Sequence, residues 1–109
     1  MNKFEAVLLF SPDLSNPIID KQEESFVSLI DKNDGKIISQ ENWGLKDLSF
    51  NISNFKKAFY KYYQIEINGS TIENLKKIMT QNEKILRHMF VRVKNHQELP
   101  TKMMINEEK

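Results

Sequence analysis

The sequence predicts an α+β domain with the element order β-α-β-β-α-β, in which one four-stranded antiparallel sheet carries two helices on one face. Three observations point there. Two stretches with helical apolar spacing each lie between β-rich runs. A long strand-like run in the middle of the chain is interrupted at Trp43-Gly44 and followed by an aromatic strand, as in a hairpin. The 109 residues suit a single core and are too few for two.

Phe4 to Phe10 reads as the first strand. Ala6, Leu8 and Phe10 form one apolar set, and Val7 and Leu9 make the other set apolar as well, which suits a central strand. The apolar stretch is short, holds Glu5 and lacks a small-residue cleavage site, so a strand is expected rather than a signal peptide. Asn16-Pro17 reads as a helix start, with Asn16 as cap. That helix is expected to reach about Lys32, burying Ile19, Phe26, Val27 and Ile30 and leaving Lys21, Glu23 and Glu24 in water. Asn33-Asp34-Gly35 is its stop, with Gly35 suited to the left-handed position.

Lys36 to Phe50 is the second strand. Gly44 inside it marks a bulge or a close backbone approach. Residues 53–57 form a basic turn and Ala58 to Ile67 the third strand. Ser70-Thr71-Ile72-Glu73 fits a capping box for a second helix that buries Ile72, Leu75, Ile78 and Met79. Ile85 to Lys94 is the fourth strand. Two β-α-β halves around a hairpin make a ferredoxin-like sandwich over residues 1–95, and residues 96–109 are expected to be a flexible tail. One helix layer covers one sheet face, which leaves the other face to a partner.

Composition narrows the chemistry. Without cysteine there is no disulfide, thiolate metal site or cysteine nucleophile, and a cytoplasmic setting is expected. No apolar run approaches a membrane span, so no membrane partner is expected. His88 and His96 lack a metal-ligand pattern, and the three glycines form no phosphate-cradling loop. Neither an enzyme, a cofactor, a metal nor a small-molecule substrate is indicated. Net charge is only +1 but polarised: residues 1–50 carry five Lys against nine Asp/Glu, and residues 51–109 eleven Lys/Arg against six Glu. Such halves can offer one basic surface to phosphates or mix in the fold. Lys56-Lys57-Ala58-Phe59-Tyr60-Lys61-Tyr62-Tyr63 interleaves cations with aromatics, as RNA sites do, although such aromatics also fill ordinary cross-strand positions. Arg87 and Arg92 are five residues apart, so an unbroken strand sends them to opposite faces.

These motifs in this order resemble the family of the sixth protein of the bacterial small ribosomal subunit. The resemblance runs from Lys3 to about Lys94 and rests on Phe4-Glu5, Pro12-Asp13, Gly35, the stretch Trp43 to Ile52, Lys56-Lys57 with Tyr60, and Ile85 to Arg92. Leu45 stands where the family has a basic residue and Asn51 where it has proline. The resemblance implies a structural ribosomal protein, on a cytoplasmic or an organellar ribosome. It would bind the central domain of small-subunit ribosomal RNA together with the eighteenth small-subunit protein. It also implies RNA contacts among Lys3, Phe4, Lys46, Lys56, Lys57, Arg87 and Arg92, and protein contacts at Trp43 and at Met103, Met104 and Ile105, the last three ordering on binding. A stand-alone RNA-binding domain and a metabolite-sensing regulatory domain share the same topology.

Overall fold

The computed structural model describes residues 2–96; Met103, Met104 and Ile105 lie outside them. Its elements are β1 (Asn2–Phe10), α1 (Asn16–Lys32), β2 (Lys36–Ile52), β3 (Phe55–Ile67), α2 (Gly69–Gln81) and β4 (Ile85–Val93). They form one sheet of order β2-β3-β1-β4, antiparallel at every pairing. β1 is central, as its two apolar sets require. Both helices pack on the same face: Ile19, Phe26 and Ile30 of α1 and Ile72, Leu75 and Met79 of α2 join one core with Phe4, Ala6, Leu8, Phe10, Tyr63, Ile65 and Ile67. The α+β sandwich expected from the sequence is therefore present.

Local chemistry departs from expectation at several element ends. Ser15, not Asn16, precedes α1, and its backbone carbonyl accepts from Ile18 and Ile19, each at 3.1 Å. The cap position carries no side-chain bond: Pro17 has no N–H to offer, and the next amide, Ile18, goes to the Ser15 carbonyl. α2 starts one residue before the expected cap: Asn68 Oδ1 accepts from the Ser70 amide at 3.2 Å, and Asn2 Oδ1 on β1 accepts from the Gly69 amide at 3.0 Å. Glu73 does not reach back and lies 3.5 Å from Lys76 instead. The left-handed residue after α1 is Asp34, with φ 61°. Gly35 is needed for space, because a Cβ there would meet Ile67 Cγ1 at 2.9 Å and the Glu66 carbonyl oxygen at 3.0 Å. Val27 and Ile78, expected in the core, are 39% and 37% exposed at the edges of their apolar stripes.

The hairpin is tighter than a basic loop. Ile52 pairs with Phe55 across Ser53 and Asn54, whose φ values of 50° and 69° give the both-positive pattern of a two-residue hairpin turn. Lys56 and Lys57 consequently belong to β3, not to a loop. The pairing of β2 with β3 shifts between Asn42 and Gly44, and Gly44 has φ 80° with open space around its missing Cβ. Of the two sequence readings for this glycine, the bulge holds and the close approach does not.

Candidate nucleic-acid interface

Strand register assigns each predicted contact to a face. Phe4, Ala6 and Leu8 of β1 lie on the helix side, opposite Ile65, Tyr63 and Lys61 on β3 and Arg92, Phe90 and His88 on β4. Lys3, Glu5, Val7 and Leu9 lie on the open side, opposite Glu66, Gln64, Tyr62 and Tyr60 and opposite Val93, Val91, Met89 and Arg87. Arg87 and Arg92 thus occupy opposite faces. Lys46 pairs with Ala58, and alternation places Lys56 on that same open side; Asp47 and Lys57 face the other way, 3.7 Å apart. The open face gathers Lys3, Lys46, Lys56 and Arg87, while Lys57 and Arg92 are set apart from them.

Three sequence expectations need correction. Phe4 is 6% exposed, with its ring in the helix-side core, so it packs the fold and offers no ring to RNA. Its even position on a strand whose even set is apolar drives it inward. Lys61, inside the aromatic-cation run, is only 9% exposed and faces α1, where its ammonium lies 3.4 Å from Glu23. Tyr63 donates its hydroxyl to the same Glu23 carboxylate at 2.6 Å. Burial, then the hydrogen bond and the negative charge of Glu23, push the Tyr63 phenol well above its ordinary range near 10. Glu23 is therefore not a solvated helix residue. The missed signal was its spacing: it falls four after Ile19 and seven before Ile30, on the buried stripe.

Aromatics partly dress the open face. Trp43, at the bulge, stacks on Tyr62 with centroids 5.0 Å apart and planes 11° from parallel, and donates its indole N–H to Glu41 at 2.9 Å. Tyr62 is buried beneath it and accepts from Gln64 Nε2 at 3.2 Å. At the other end, β2 beyond Asp47 curls over Leu9 and Tyr60, leaving a recess of about 110 Å³ lined by Leu48, Phe50, Ile52, Arg87 and Met89. Leu9 becomes buried there although no helix covers it. Met89 and Val91 on β4 stay 42% and 57% exposed.

The molecule is thus a ferredoxin-like sandwich whose partly bare sheet face carries cations, the architecture of a non-catalytic ribosomal protein class. The family model for ribosomal protein S6 matches residues 3–92. Small ribosomal subunit protein bS6 of Zymomonas mobilis is 34% identical over 104 residues, covering 95% of this chain and 84% of that protein. The bS6 protein of Rickettsia felis is 32% identical over 107 residues, covering 98% and 88%. The crystal structure of 30S ribosomal protein S6 from Thermotoga maritima superposes with a TM-score of 0.80 at 18% identity, covering 84% of this chain and 87% of that one. The chain belongs to the ribosomal protein S6 family. It is a structural protein of the small ribosomal subunit, not an enzyme.

Proposed function

We propose that this protein binds the central domain of small-subunit ribosomal RNA together with the eighteenth small-subunit protein, and so stabilises that part of the subunit. One observation carries the RNA half of this reading: register brings Lys46, Lys56 and Arg87, far apart in sequence, onto one sheet face at the hairpin end. Clustered cations displace counterions from a phosphate backbone, which favours association without a strongly basic chain. Lys3 adds a cation at the far end of the same face. Lys57 is held by Asp47 and Arg92 lies on the helix side, so they are secondary contacts at most in this reading.

Trp43 supports the protein half. A flat indole on a sheet face, already oriented by Tyr62 and Glu41, offers a large apolar contact at little cost in conformational freedom. Met103, Met104 and Ile105, which lie outside the described residues, are assigned to the same partner.

Reconstitution tests the proposal. Purified protein, the eighteenth small-subunit protein and central-domain ribosomal RNA should form a complex that sediments together. Absence of the protein from that complex and from small subunits would end the proposal.

A further inference from the structure

Phe50 is 64% exposed, the most exposed of the large apolar side chains among the described residues. It stands at the rim of the recess floored by Leu9, where β2 curls over the open face. The Arg87 guanidinium lies 5.8 Å from the centre of its ring. An exposed phenyl leaves apolar surface in water, and no described residue covers its outer face. The neighbouring cation orients the ring and raises its value as a stacking surface.

Charge along the face indicates what seats on it. The cation beside Phe50 is Arg87, and register places Lys46 and Lys56 on the same open side at the hairpin end. The carboxylates of that side, Glu5, Glu41 and Glu66, pair with or belong to β3 residues 62 to 66, toward the other end. Asp47, the acid near the hairpin end, turns to the helix side and meets Lys57. A flat apolar surface with a cation against it, two more cations at the same end of its face, and the carboxylates of that face toward the far end fits a planar group attached to a polyanion.

We propose that Phe50 is a stacking platform for one unpaired nucleobase of the bound RNA, with Arg87 and Lys56 meeting the adjoining phosphates. This rests on the RNA-binding reading above and adds to it a residue and a ligand group. Single-stranded bases stack on aromatic side chains with little regard to sequence, and the removal of one such ring costs roughly 5- to 100-fold in affinity.

The test uses the full chain with the eighteenth small-subunit protein and central-domain RNA, in titrations at several salt concentrations. Phe50→Leu keeps an apolar side chain but removes the ring, and its exposed position leaves folding intact, which a thermal melt verifies. The expected result is weaker RNA binding in that range with an unchanged slope of log affinity on log salt, recovered by Phe50→Trp. Wild-type affinity in Phe50→Leu, with the wild-type protein binding RNA, overturns the platform and leaves the RNA reading standing. Loss of binding to the protein partner alone assigns the surface to that protein and also overturns it. If the wild-type protein binds no RNA in the reconstitution, the RNA reading itself fails and the platform with it.

Discussion

Single side chains tie the helices to the sheet. The Tyr63 hydroxyl donates to Glu23, which also holds Lys61, so one carboxylate of α1 satisfies two polar groups of β3. Tyr63→Phe deletes a hydrogen bond to a charged acceptor and is expected to cost roughly 1.5–3 kcal/mol, read from urea midpoints at constant m. His88 links β4 to α2. Thr80 Oγ1 donates to the Lys76 carbonyl at 2.8 Å, so at 3.1 Å it accepts from His88 Nε2, and Nδ1 carries the lone pair. Nδ1 is buried without a partner, and burial followed by the charge of Lys76 lowers the His88 pKa below its ordinary 6.5. The unfolded chain then binds the proton more readily than the folded one. The His88 contribution is whole above about pH 6.5 and is lost as pH falls through the lower folded value. Denaturation midpoints from pH 8 to pH 5 should decline accordingly, with a smaller decline in His88→Gln.

At the scale of elements, β2 is the decisive one. It is 17 residues long, bulged at Gly44, and bent over the open face near its end. Gly44 permits the bulge because its φ of 80° is costly for any residue with a Cβ, and its amide donates to Asn42 Oδ1 at 2.9 Å. Gly44→Val should destabilise by roughly 1–2 kcal/mol or more, since β-branching adds to the left-handed penalty. It should also disturb the Trp43–Tyr62 stack, visible as a change in tryptophan fluorescence. Unchanged stability and fluorescence would place the backbone of this bulge elsewhere. The strands, helices and their order were legible from apolar periodicity and from the Asn-Gly and Asp-Gly breaks. The caps were not. Both helix starts depend on which amide already has a partner: Pro17 removes one donor from α1, and Asn2, 67 residues away in sequence, takes the Gly69 amide of α2.

Across the whole molecule, strand register rather than sequence half decides which charges share a surface. Lys46 and Arg87 share the open side with Lys56, whereas its neighbour Lys57 turns away and pairs with Asp47. The double variant Lys56→Ala with Arg87→Ala should therefore weaken RNA binding in the reconstituted complex. Its slope of log affinity on log salt should fall by about 0.7–0.9 for each phosphate that the variant no longer neutralises. Lys57→Ala should leave that slope nearly unchanged. Equal effects of Lys56→Ala and Lys57→Ala would show that the two faces are not distinguished by RNA.

The α+β order, the hairpin at the centre and the family were written in the chain itself, because apolar spacing and turn residues are local and each acts within a few positions. Folding in three dimensions chose which cations share a surface, turned Phe4, Lys61 and Glu23 into the helix side, and left Phe50 standing out beside Arg87. Those outcomes depend on strand register and on the bulge at Gly44, where one residue more or fewer exchanges the two faces of the sheet.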